Sequence, residues 1–169
     1  MSVGSENRGQ DFASLYAAHY EPALRLAFLL TGSTLASEEA VADAFALVYP
    51  KWQAGTVQMF GPYLKTVVTN QVRRNRRRER ARRDRSGGAS SIDRPLRVAE
   101  NVAQRSVLFA ALLRLPVRQR AAIVLRYYED LTEAQTAEVL GTSVGTVKSQ
   151  VSRGLGRLQA ILTDTTEGV

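Results

Sequence analysis

Apolar residues recur at steps of three and four along almost the whole chain, and nowhere do they alternate over a stretch long enough for a half-buried strand. That period belongs to helices that each bury one face, so the sequence predicts an all-α fold. From Phe12 to Leu30 the positions Phe12, Leu15, Tyr16, Tyr20, Ala23, Leu24, Ala27, Phe28 and Leu30 form one broad apolar face, and Thr31-Gly32-Ser33 breaks it. Ser37 followed by Glu38 and Glu39 reads as an N-cap with acidic residues in the first turn. It predicts a second helix from about Glu38 to Lys51, with Val41, Ala44, Phe45 and Val48 inside. Pro62 suits the first turn of a third helix, with Tyr63, Leu64, Val67, Val68 and Val72 as its apolar positions.

The third helix leads directly into residues 73–85, RRNRRRERARRDR. Nine arginines stand there against Glu79 and Asp84, so this one run accounts for the whole net charge of +7. Charge concentrated in this way suits a polyanion better than general solubility. The following SGGASSID has no apolar stripe and reads as a flexible linker. From about Asn101 a second helical set begins, with Val102 to Leu115 and then Val117 to Asp130 behind Pro116. The expected organisation is therefore two small helical domains, 11–85 and 101–163, joined by a flexible linker at 86–100.

The second domain ends in "TEAQTAEVLGTSVGTVKSQVSR". Thr132 with Gln135 three residues later is a capping-box pattern, so a helix starts at about Glu133. Ala134, Ala137 and Leu140 make its expected inner face, and Gly141 stands where the chain leaves the helix with positive φ. Ser143 caps the next helix, whose apolar positions are Val144, Val147, Val151, Leu155, Leu158 and Leu162. Two helices joined by so short a turn must cross steeply, which describes a helix-turn-helix. The outward face of the second helix carries Gly145, Lys148, Ser149 and Ser152, with Thr146 and Arg153 at its margin. These are short donors and acceptors for base edges plus two cations, on the helix that enters a major groove.

At this point the chain resembles a known family. "LPVRQRAAIVLRYYEDLTEAQTAEVLGTSVGTVKSQVSRGLGRLQ" is similar to the C-terminal promoter-reading domain of extracytoplasmic-function (ECF) sigma factors, the small initiation subunits of bacterial RNA polymerase. "DFASLYAAHYEPALRLAFLLTG", "SEEAVADAF" and "PYLKTVVTNQVRRNRRR" resemble the N-terminal domain of the same family. The resemblance implies a promoter-specific initiation factor without enzymatic activity or cofactor. Its partners would be core RNA polymerase, double-stranded promoter DNA and the unpaired −10 strand. Glu39 and Asp43 become candidate polymerase contacts. Asn70 lies at a recurrent asparagine of the −10-reading helix, and Arg73, Arg74, Arg76 and Arg77 would meet phosphates there. Trp52, Phe60 and Tyr63 could stack on bases, but aromatics at helical spacing are more often core. The −35 contacts carry over to Thr146, Lys148, Ser149, Ser152 and Arg153. Many members are held inactive by an anti-sigma factor, and nothing in this sequence identifies one.

Some residues depart from the family pattern. Ala42 stands where glutamine is common, Glu39 where aspartate is usual, and Gln150 in place of a frequent arginine. Gly154 and Gly156 fall where alanine or arginine is common, which predicts fraying of the C-terminal half of the reading helix. Other function classes are less well supported. A free-standing repressor or activator would use the helix-turn-helix as a dimer, yet no dimer helix or ligand pocket is evident. An RNA-binding protein would use the arginine run alone. An enzyme or metal protein is poorly served by a single histidine, His19, by the absence of cysteine, and by adjacent acids, Glu38 and Glu39, that point to different sides of a helix. No apolar run is long enough to span a bilayer, and MSVGSENRGQ lacks the form of a secretory signal, so a cytoplasmic location is expected.

Overall fold

The computed structural model describes residues 11–87 and 107–167, and among these every regular element is helical. They form two compact units, residues 11–28 with 33–87, and residues 29–32 with 107–167. The expected linker lies outside the described residues from position 88 onward, as do residues 101–106 of the helix expected from Val102.

The first unit is built on α1 (Phe12–Thr31), α2 (Thr34–Gln53) and α3 (Phe60–Ser86). Asp11 caps α1, its Oδ1 accepting the Ser14 amide at 2.8 Å. Leu15, Ala23 and Leu26 of α1 are buried, as are Val41, Ala44, Phe45 and Val48 of α2 and Phe60, Leu64, Val68 and Val72 of α3. Two positions of α1 depart from expectation: Tyr16 is 43% exposed and Leu26 is fully buried. Leu26 sits in a run where nearly every residue is apolar, so period alone could not select the inner face.

The start of α2 also differs. Ser33, not Ser37, is the N-cap, extended at φ −127° and ψ 133°, and its hydroxyl oxygen accepts the Ala36 amide at 3.2 Å. Ser37 is instead a buried helical residue whose hydroxyl donates to the Ser33 carbonyl. Nothing between Ser33 and Ser37 stops a helix, so the earlier cap prevails and Glu38 and Glu39 fall in the second turn. α3 begins at Phe60, with Pro62 in its first turn as expected, where the missing N–H is no loss.

Aromatic packing joins the three helices. The Phe12 ring lies 4.8 Å from Tyr49, 5.3 Å from Trp52, 5.9 Å from Phe60 and 6.2 Å from Phe45. His19 belongs to the same layer, 5.3 Å from the Phe60 ring. A Cβ at Gly61 would stand 2.9 Å from His19 Cε1, so α3 approaches α1 through a residue without a side chain. Burial, and then the positive charge of Lys65, lower the His19 pKa below its usual 6.5. The folded unit thus binds its proton less readily than the unfolded chain does, and stability falls as pH drops through 6.5 towards the lower folded value. His19→Gln should flatten the dependence of the unfolding midpoint on pH between about 7.5 and 5. Fluorescence of Trp52, the one tryptophan, follows this unit during denaturant titration.

The second unit contains α4 (Val107–Leu113), α5 (Val117–Ile123), α6 (Glu133–Leu140) and α7 (Val144–Glu167). α5 runs without a break into one wide turn of π-helical geometry, Val124–Tyr128. Past it, Asp130 takes φ 52°, and the Leu131 amide donates to the Leu125 carbonyl at 3.0 Å. Ala111, Leu115, Ile123 and Leu158 make a buried cluster, with Leu112, Ile161 and Leu162 packed against it. Arg120 is only 5% exposed, and its guanidinium donates to the Leu113 carbonyl at 3.0 Å, which satisfies part of a charge that would otherwise be costly to bury.

The two glycines of α7 behave in opposite ways. Gly154 is buried, and a Cβ built there would stand 2.6 Å from Ile123 Cδ1 and 3.2 Å from Gln119 Cβ. α5 and α7 therefore touch backbone to side chain at this point, and glycine is a packing requirement. The expected fraying does not occur, because α7 continues to Glu167. The contact also sets which side of α7 is inner: Val147 and Leu158 are buried, whereas Val144 and Leu155, expected to be inside, are 38% and 40% exposed. On α6 the inner residues are Thr136, Ala137 and Val139, while Ala134 is exposed. Gly156 has open space around the site of a Cβ. Gly156→Ala should therefore stabilise the unit by roughly 0.5–1 kcal/mol, and Gly154→Ala should destabilise it by about 1–3 kcal/mol through overpacking against Ile123. Denaturant unfolding of the two variants checks the opposite signs.

Candidate nucleic-acid interface

Hydrogen bonds at both ends of a short connection fix the helix-turn-helix. Thr132 Oγ1 accepts the Gln135 amide at 3.1 Å and Gln135 Oε1 accepts the Thr132 amide at 2.8 Å, which completes the capping box. At the far end Gly141 takes φ 61°, and the Thr142 amide reaches back to the Ala137 carbonyl at 2.9 Å. Ser143 then caps α7, its Oγ accepting the Thr146 amide at 3.1 Å. Val147, fully buried, is the pivot on which α7 crosses α6.

With the helix so pinned, Thr146, Lys148, Ser149, Ser152 and Arg153 are all exposed, as is Gly145. Gly145, Lys148, Ser149 and Ser152 fall within an arc of about 100° on the side away from Val147. Thr146 is partly engaged, since its hydroxyl lies 2.9 Å from that of Ser143. Lys148 is engaged too: its ammonium lies 3.6 Å from Glu133 Oε2 on the first turn of α6. The sequence reading missed Glu133. An acid fifteen positions upstream on another helix shares no short-range period with Lys148, and only the sharp turn at Gly141 unites them.

On α3 the last buried side chain is Val72, and the helix runs on through the arginines to Ser86. Residues 73–86 therefore project along about 21 Å of helix with no core to cover. Asn70, Arg74 and Arg77 are exposed and share one face at spacings of four and three. Arg73 and Arg76 are half-buried. Burial, together with the Arg80 and Arg83 charges and against the pull of Glu79, lowers the proton affinity of Arg76. The four arginines grouped by sequence thus separate into two open cations and two that lie closer to the protein.

The aromatic candidates separate as well. Phe60 is core, 2% exposed, and Trp52 packs on Phe12 and Tyr49 at 5.3 and 6.2 Å. Tyr63 is half-buried, and its phenol oxygen accepts a hydrogen bond from Lys51 Nζ at 2.9 Å. At 5.7 Å from the ring centre the ammonium lies beyond the hydroxyl edge and not over the face. On α2 both predicted acids are exposed, but Asp43 Oδ2 lies 3.5 Å from Asn75 Nδ2, so this carboxylate is turned towards α3. Glu39 keeps company with exposed Leu35, Leu47 and Tyr49, a mixed surface that the polar reading of this helix had not anticipated.

Comparison with known proteins gives these surfaces a context. Residues 15–82 match the family described as sigma-70 region 2, and residues 105–158 match sigma-70, region 4. The ECF RNA polymerase sigma factor SigM of Mycobacterium tuberculosis is 30% identical over 164 residues, covering 94% of this chain and 80% of that protein. The ECF RNA polymerase sigma factor RpoE of Cereibacter sphaeroides is 32% identical over 159 residues, covering 88% and 84%. Among solved structures, the sigma factor RpoE of Bartonella quintana, crystallised with the anti-sigma factor NepR, superposes with a TM-score of 0.70 at 23% identity. It covers 90% of this chain and 97% of that one, a likeness of fold.

Each open cation that meets a phosphate releases counterions, so its removal flattens the salt dependence of binding. Arg74→Ala with Arg77→Ala should reduce the slope of log affinity against log salt by roughly 0.7–0.9 per lost contact, and Arg76→Ala by less. Titrating labelled DNA at several salt concentrations checks this.

Proposed function

The chain belongs to the sigma-70 family as an ECF sigma factor, and from that premise we propose that its two units read two separate promoter elements while core RNA polymerase holds them. As a member of this family it directs promoter-specific transcription initiation and catalyses no reaction itself. Its partners are core polymerase and promoter DNA.

Within that role each helix takes one task. Glu39 and Asp43 on α2 contact polymerase, and the apolar side chains exposed beside Glu39 add area to that contact. Ala42, lying between the two acids, leaves the contact without the amide that a glutamine would offer. Asn70 on α3 contacts the −10 element, and Arg74 and Arg77 on the same face follow the phosphates, with Arg73 and Arg76 beside them. Thr146, Lys148, Ser149, Ser152 and Arg153 on α7 read the −35 element. Two tethered readers raise each other's effective concentration, so each can bind weakly alone. The domain limits proposed for these tasks are 11–85 and 101–163, with 86–100 between them. The protein works where its polymerase is, in the cytoplasm, and none of the described helices is long and apolar enough to cross a membrane. An anti-sigma factor, such as the one crystallised with the Bartonella RpoE, would silence it by covering surfaces that polymerase needs.

The observation that best supports this reading is the exposure of all five α7 side chains on a helix whose start is pinned by Ser143 and Gly141. Lys148→Ala combined with Arg153→Ala should lower initiation from the protein's own promoter at least ten-fold while co-purification with core polymerase is unchanged. Each lost base contact accounts for about 1–3 kcal/mol of discrimination. Run-off transcription with reconstituted polymerase measures the effect, and undiminished transcription from the double variant would overturn the assignment.

A further inference from the structure

The pairing of Lys148 with Glu133 is hard to explain by folding alone. The two side chains are 62% and 39% exposed, and an ion pair so open to solvent adds little to stability. Glu133 already favours the positive end of α6 without a lysine. On a surface that approaches phosphates, a carboxylate also repels the ligand. A group that weakens general affinity at such a place makes sense if it improves choice.

The major-groove edge of a base pair supplies the complement. A G·C pair presents the guanine N7 and O6 acceptors beside the cytosine N4 amino donor. O6 and N4 are bonded to each other across the pair at roughly 2.9 Å. An ammonium and a carboxylate oxygen 3.6 Å apart match that edge in sign and nearly in spacing. A T·A pair offers acceptor and donor in the same order, but it sets the thymine methyl against the ammonium and the adenine N7 acceptor beside the carboxylate. A C·G pair reverses the order and opposes like with like. Gly145, one turn before Lys148, has only Ser143 Oγ, at 3.9 Å, near the place of a Cβ, so no side chain stands between the pair and the groove.

We propose that Glu133 and Lys148 act as one unit that reads a single G·C base pair of the upstream promoter element, the ammonium on guanine and the carboxylate on the cytosine amino group. The proposal rests on α7 being the −35 reader, and it adds a specificity residue from α6.

The test is start-site selection by the full chain with core polymerase on a pool of promoters randomised in the upstream element. The wild type should demand G·C at one position. Glu133→Gln should lower that preference roughly ten-fold at this position only, leaving the other positions intact. The exchange of Glu133→Lys with Lys148→Glu should turn the preference to C·G at the same position. Thermal unfolding confirms that the variants fold, and the single variant suffices if the exchange does not. A preference profile that Glu133→Gln leaves unchanged, or weakens equally at every position, overturns the pairing. If Lys148→Ala and Arg153→Ala also leave the profile unchanged, the assignment of α7 as reader fails with it.

Discussion

The reading helix is aimed by a contact in which one partner has no side chain. At Gly154 the backbone of α7 lies against Ile123 and Gln119 of α5, and this approach fixes the rotation of α7 about its own axis. With Val147 and Leu158 facing inward, Lys148, Ser149 and Ser152 have no choice but to face out. A methyl group at Gly154 would push the helices apart and shift every outward residue together. Interiors packed this closely respond to displacement as a whole, so a single small residue on the buried side governs a surface on the other side of the same helix.

Much of this architecture could be read in the sequence, and the exceptions have physical causes. The capping box at Thr132, the left-handed exit at Gly141 and the cap at Ser143 depend on residues within three or four positions of one another, and all were legible. The start of α2 was misplaced because Ser33 and Ser37 are both competent caps, and local chemistry cannot tell which is used. Leu26 was missed inside an uninterrupted apolar run. Gly154 and Gly156 look alike in a sequence, as helix-weakening residues. Only the neighbour from α5 distinguishes a required glycine from a dispensable one. Glu133 was overlooked for the same reason, since its partner is near in space and distant along the chain.

Charge is divided in kind between α3 and α7. On α3 arginines stand on every side beyond Val72, a dense and mostly open array suited to the uniform charge of a nucleic-acid backbone. On α7 the exposed face is sparse, with hydroxyls, one lysine already paired and one arginine. Dense cations give affinity that falls steeply with salt, and sparse directional groups give choice. A protein that had only the first would bind anywhere, and one that had only the second would hardly bind.

The wide turn at Val124–Tyr128 makes the spacing of this segment matter more than its side chains. It accommodates one residue more than an ordinary helical turn would, and it leaves Tyr127 and Tyr128 58% and 49% exposed. Losing a single residue there would rewind the segment into regular helix and swing everything downstream by about 100°. The helix-turn-helix would then face the wrong way with all its own residues intact. Natural variants of this protein should thus tolerate exchange of amino acids along the turn far better than any change in its length.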